Sequence, residues 1–221
     1  MKFLTLFKSW KNILLRLLKR KQSENSSDTS TTSNPGDNAI CGICVGHSRP
    51  DDLGAVSVSG IHEWTFNVRV AALVKKYLEK DGITARIYDE YHGTTYTSSM
   101  KWLAHTLSVD GVTLAIELHF NAATPSASGC EMLYHHRSIK GKRLAGCLQK
   151  AVLDTYDTRD RGIKPLTRFS RGGGFVNYTK CPAALCEPFF GTSEADWLSF
   201  SSPRTRLAQA YADGIKDFLS K

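Results

Sequence analysis

Several features are missing from this 221-residue sequence, and each absence narrows what the chain is. The only stretch dense enough in leucine and aromatics to suggest a spanning helix, residues 1–21, is broken by Lys8, Lys11 and Arg16, so it does not supply the roughly 20 uninterrupted apolar residues that a bilayer requires. No small-residue cleavage site follows it, so a cleaved secretory signal is not expected. Internal repeats are absent. The six cysteines, at 41, 44, 130, 147, 181 and 186, show no spacing of a disulfide framework, and most fall in apolar or helical stretches, as buried thiols in a reducing compartment do. Cys41 and Cys44 match C-x-x-C, but the chain runs on as strand where a redox motif opens a helix, and no second cysteine pair matches it. Positive charge is nearly absent as an excess outside the first 21 residues. That segment holds seven Lys/Arg and no acid, leaving 22 basic and 21 acidic groups for the other 200 residues. The body is close to neutral, which excludes a nucleic-acid surface there.

What is present divides into three parts. Residues 1–21 set Phe3, Leu6, Phe7, Trp10, Leu14, Leu17 and Leu18 at helical spacing among lysines and arginines. This is the pattern of a basic amphipathic helix lying on an anionic membrane surface, and it also suits a helix docked on the domain or on a partner. Residues 22–38, rich in Ser, Thr and Asn and almost devoid of apolar side chains, read as a disordered linker. Residues 39–221 form the folded domain.

Within that domain strands and helices alternate. Strands are expected over Ala39–Gly46, Ile83–Tyr88, Val112–His119, Gly129–His135 and Ala183–Glu187. Helices are expected over Glu63–Lys80, Thr95–Leu107, Gly141–Tyr156, Glu194–Phe200 and Arg204–Leu219. The glycine-rich basic stretch Arg159–Asn177 reads as an active-site loop. The order predicts a three-layer α/β domain, with a mostly parallel mixed sheet flanked by helices.

The chemistry collects at strand ends. His119 closes the central strand in the run Leu118-His119-Phe120-Asn121-Ala122, His47 follows Val45-Gly46, and Glu187 ends Leu185-Cys186-Glu187. Open α/β sheets keep their sites at this carboxyl edge. With Glu63 at a helix start, four segments supply two imidazoles and two carboxylates, the ligand set of an open catalytic zinc site plus a general base. His62 rivals Glu63 as a ligand, though a helix start allows only one of them to face the sheet edge. Glu187 sits among apolar and aromatic neighbours that raise a carboxyl pKa toward neutrality. Glu117 shares a strand face with His119, where it orients that ligand, acts as a second base or pairs with an arginine, and the arginine pairing is favoured. Arg171, Gly172 and Gly173 read either as a place where a substrate approaches the backbone closely, with Arg171 available to a carboxylate, or as a flexible surface loop.

These residues together, with Pro182-Ala183-Ala184-Leu185-Cys186-Glu187, Gly129-Cys130-Glu131 and Arg161-Gly162-Ile163-Lys164, resemble the zinc-dependent N-acetylmuramoyl-L-alanine amidases of the phage endolysin and bacterial autolysin type. The resemblance covers about residues 40–220. It implies Zn2+ on His47, Glu63 and His119, with Glu187 as catalytic acid/base. It also implies peptidoglycan as substrate, with Asn121 expected to help bind it, and action on the cell wall; a monomer made in a reducing cytoplasm is expected. Two other readings of the same residues are a zinc peptidase or carboxypeptidase acting on stem peptides and an inactive wall-binding protein.

Membrane attraction is expected to reside in the first segment, since each Lys or Arg near an anionic surface contributes about 1 kcal/mol in addition to apolar burial. Deleting residues 1–38 is expected to abolish co-sedimentation with anionic vesicles while leaving metal content and activity on soluble wall fragments intact. Binding by the full chain should weaken as salt rises. Equal binding by the truncated protein at low salt would place the membrane contact elsewhere.

Overall fold

The structure, a computed structural model, describes residues 38–49 and 51–220. The basic helix expected over 1–21 lies outside the described residues, as does the linker expected over 22–38 apart from its last residue. Six strands and six helices are described: β1 (Ile40–Val45), α1 (Glu63–Lys80), β2 (Thr84–Tyr88), α2 (Tyr96–Val109), β3 (Leu114–Leu118), β4 (Cys130–His135), α3 (Ile139–Thr155), β5 (Asp160–Leu166), α4 (Gly174–Tyr178), β6 (Ala183–Glu187), α5 (Glu194–Phe200) and α6 (Arg204–Leu219).

The strands form one sheet in the order β2-β1-β3-β6-β4-β5. β2, β1, β3 and β6 run parallel, β4 is antiparallel to β6, and β5 is parallel to β4. The central strands are apolar on both faces, as helix-covered strands must be. Cys41, Ile43 and Val45 of β1 face α1, α3 and α6 with Ile116 and Leu118 of β3, whereas Cys44, Ala115 and Leu185 face α2 and α4. Cys41 and Cys44 therefore lie in different cores, each fully buried, and burial pushes both thiols up. They do not act as a pair.

Local sequence explains the helix limits. In α1, Phe66, Val70, Ala71, Val74 and Leu78 recur at three- and four-residue steps and are buried, and Gly82 beyond its end adopts φ +79°. Thr95 and Ser98 cap α2 reciprocally, and Ser138 accepts from Gly141 N at the start of α3.

The stretch Arg159–Asn177 is not one loop. Asp160–Leu166 pairs with β4 as the sheet's edge strand, and only the segment after it turns before α4. Gly162, Pro165 and the charges of this segment suit an edge strand, which is exposed and needs few apolar residues.

Beneath the carboxyl edge of β3 and β6, Phe66, Phe120, Phe189 and Trp197 pack ring to ring with centroids 5.5–6.1 Å apart. They join α1 and α5 to the segments that follow these two strands. Phe66→Ala is expected to cost about 3–5 kcal/mol of stability, the range for truncating a buried phenylalanine. Urea unfolding of the two proteins measures it, and a change below about 1 kcal/mol would show that this cluster does not support the edge.

Candidate active site

The carboxyl edge gathers residues from five segments. His47 follows β1 in the left-handed region at φ 60°, a conformation that costs a non-glycine residue energy and that marks functional sites when the surroundings hold it. Gly46 before it is required by close approach: a Cβ there would lie 2.1 Å from His119 Cε1. His119 follows β3. The chain leaves β1 for β2 on one side and returns to β3 on the other, so the two histidines flank the point where strand order reverses.

Glu63, only 3% exposed, stands between them. Its Oε1 lies 2.9 Å from His119 Nδ1 and accepts from Phe120 N at 3.1 Å. Its Oε2 lies 3.3 Å from His47 Nε2 and accepts from Ala55 N at 3.1 Å. Burial alone would raise this carboxyl, but the hydrogen bonds and charge of His119 and His47 outweigh it and hold the group at about 2. His62 is the residue before α1 and stays out of the cluster.

Each imidazole also meets a carboxylate on its other nitrogen. His47 Nδ1 is 2.9 Å from Asp52 Oδ1, and His119 Nε2 is 3.2 Å from Glu117 Oε2. Glu117 faces the same way as His119, but it pairs with no arginine among the described residues. That face of β3 is covered by Tyr91, whose hydroxyl donates to Glu117 Oε1 at 3.2 Å. Burial opposes protonation of both imidazoles, yet the surrounding carboxylates raise both pKa values, His119 strongly. The pocket thus favours positive charge. One donor atom each from His47, Glu63 and His119 lies within 4.8 Å of the others. Two imidazoles and a carboxylate, with the outer nitrogens already turned onto carboxylates, fit a divalent metal such as zinc.

Glu187 ends β6 on the same edge. Its Oε2 is enclosed and has no hydrogen-bond partner. Burial, reinforced by Glu63 and Glu131 against the pull of His119, pushes it up to about 8. One edge therefore holds one carboxyl that stays ionised and one that takes a proton near neutrality.

The sequence profile of the N-acetylmuramoyl-L-alanine amidases matches residues 41–217. The chain belongs to this family. The amidase is 28% identical over 184 residues to N-acetylmuramoyl-L-alanine amidase LytC of Bacillus subtilis, an alignment covering 80% of this chain and 34% of LytC. It is 27% identical over 183 residues to the uncharacterized protein YqiI of the same organism, covering 80% of this chain and 82% of YqiI. The catalytic domain of CwlV, an N-acetylmuramoyl-L-alanine amidase of Bacillus (Paenibacillus) polymyxa, shares the fold with TM-score 0.69 at 23% identity, over 82% of this chain and 98% of that domain. Hydrolysis of the amide between N-acetylmuramic acid and L-alanine in peptidoglycan is accordingly the activity of this enzyme, and the cell wall is where it acts. No described helix is long and apolar enough to cross a membrane.

The amidase's cleft, of about 870 Å3, contains His47, Glu63, His119, Glu117 and Glu187 and extends to Arg171 and Gly172. Asn121 lines it too, but its side chain is engaged: Nδ2 donates to Glu131 Oε1 and Oδ1 accepts from Ala122 N, each at 2.9 Å. Gly173 does not line the cleft. A Cβ on it would meet Thr167 O at 2.4 Å, so its smallness serves the turn before α4.

Sequence reasoning missed two parts of this site. Asp52 lies in a polar loop where one aspartate looks like any other, and only the fold brings it to His47. Glu131 stands opposite Glu187 in the β4–β6 pair, held by Arg161 Nε at 2.9 Å, and strand pairing between distant segments was needed to reveal it.

The proton affinity of Glu187 gives a stability signature. Its folded pKa exceeds its unfolded value, so the native state binds the extra proton, and its share of stability falls as pH rises from about 4.5 toward about 8. In chelator-treated protein, the melting temperature of Glu187→Gln minus that of the parent should grow through this window and level off above it. A difference independent of pH would show that Glu187 titrates normally.

Proposed function

We propose that the amidase is zinc-dependent, with the metal held by His47, Glu63 and His119 and with Glu187 as the general acid and base. The observation that carries this reading is the cluster itself: Glu63 reaches both imidazoles, and each imidazole rests its other nitrogen near a carboxylate. Zinc dependence is typical of the family. When bound, zinc supplies a Lewis acid that offsets negative charge developing on the amide oxygen.

The protein's own groups do the rest. Glu187, ionised at the start, takes a proton from the attacking water and delivers it to the nitrogen of L-alanine as the amide bond breaks. Burial raises the proton affinity of this carboxyl above the ordinary value, which makes it the better base for that transfer. Glu117 and Asp52 hold the imidazole orientations, with Tyr91 fixing Glu117 and Arg49 fixing Asp52. Arg171 and Gly172 border the bound substrate, and Asn121 shapes the wall beside His119. The basic segment 1–21 brings the enzyme to an anionic membrane surface.

Mass spectrometry of products from purified wall material tests the bond cleaved, and variants separate the roles. Glu187→Gln is expected to keep its zinc and lose about 10²–10⁴-fold in turnover, the usual contribution of a general acid–base group. Glu63→Ala is expected to lose zinc. If the two phenotypes exchange, the role assignments fall even though the activity stands.

A further inference from the structure

The charged groups that line the cleft differ in compensation. At the candidate metal site every carboxylate but Glu187 is matched: Glu63 by two imidazoles, Asp52 by His47 and Arg49, Glu117 by His119 and Tyr91. The turn between β5 and α4 brings Arg168 and Arg171 to the cleft wall, and neither enters an ion pair among the described residues. Arg168 lies with its guanidinium 4.5 Å from the ring of Phe169, which is 82% exposed. Arg49, the cleft's third arginine, is already held by Asp52, beside the Tyr96 ring.

This turn is braced. Thr167 N donates to Ser170 Oγ and Gly173 N to Ser170 O, each at 3.0 Å, and Gly174 N donates to the Tyr96 hydroxyl at 3.1 Å. Gly172, at φ +73°, lines the cleft between the arginine and α4, and a Cβ there would meet nothing nearer than 3.8 Å. Two guanidinium groups without counter-ions thus sit on a fixed backbone facing a substrate channel.

We infer that this turn receives a free carboxylate of the stem peptide beyond L-alanine, with Arg168 and Arg171 as its partners, so that the enzyme selects stems bearing carboxylates over stems bearing primary amides at the same place. The inference rests on the amidase reading and adds the class of stem. A carboxylate offers only acceptors and matches the guanidinium fork, whereas a primary amide turns N–H groups toward a donor and carries no charge. The preference is therefore set by an unpaired charge as well as by attraction.

The test uses the full-length, zinc-loaded enzyme and two muropeptides that differ only in carrying a carboxylate or a primary amide on the residue after L-alanine. Wild type is expected to cleave the carboxylate form with about 10- to 100-fold higher kcat/KM, the range for a charge-assisted hydrogen-bonded contact, mostly through KM. In Arg168→Gln/Arg171→Gln the ratio should fall toward one, and Arg171→Lys with Arg168 intact should retain part of it. Because the ratio is internal to each protein, a loss of folded enzyme does not alter it. Equal cleavage of both substrates by wild type would overturn the inference and leave the amidase reading standing. So would a preference that survives in the double variant. Failure to cut either substrate at the lactyl amide would overturn the catalytic reading and the inference with it.

Discussion

The site depends on one buried carboxylate. Glu63 sits at the first position of α1, where the helix dipole favours negative charge, yet it is withdrawn from water and must be satisfied by protein. Two backbone N–H groups, from Ala55 and Phe120, and two imidazoles, from His47 and His119, meet that demand. The acceptor requirements of a single side chain thus tie α1 to the segments leaving β1 and β3. Removing it would leave the two histidines held only from their outer sides, by Asp52 and Glu117.

The second constraint is the contrast between two carboxyls on the same edge. Glu63 is surrounded by donors and stays ionised, whereas the enclosed Oε2 of Glu187 has none and its proton affinity rises. Environment alone separates a carboxyl that stays ionised from one whose proton affinity is raised. Glu131 contributes to the contrast. It faces Glu187 across the strand pair, and its carboxylate is fixed by Arg161 and Asn121. Reversing β4 against β6 is what brings the start of that strand to the active edge.

Much of the candidate site's position was legible because strand ends are legible. A buried strand announces itself by its apolar run, and the first polar residues after it must emerge at the sheet's edge, so His47, His119 and Glu187 could be placed there without coordinates. The period of two placed Glu117 beside His119. Its partner was misjudged because the opposite element, the Tyr91 segment, belongs to another part of the chain. Arg159–Asn177 misled for a related reason. An edge strand needs little apolar surface, so glycine, proline and charge read as loop where pairing with β4 makes a strand. Gly173 was grouped with its neighbours by composition, although its lack of a Cβ is what lets the chain pass Thr167 O.

The amino-acid sequence by itself determined the alternation of strands and helices, the three-layer class, the segregation of positive charge into residues 1–21 and the identity of the groups at the sheet's edge. All of these follow from local periodicity and composition. Tertiary structure decided which nitrogen of each imidazole faces Glu63, that Asp52 supports His47, that His62 is excluded, and that Arg168 and Arg171 face the cleft without counter-ions. The proton affinity of Glu187 belongs to the same group in its extent, since it depends on Glu63, Glu131 and His119 arriving from three other elements. Apart from the local Asp52–His47 contact, these properties are set by contacts between distant parts of the chain, and the electrostatic state of a buried group is a property of everything packed around it.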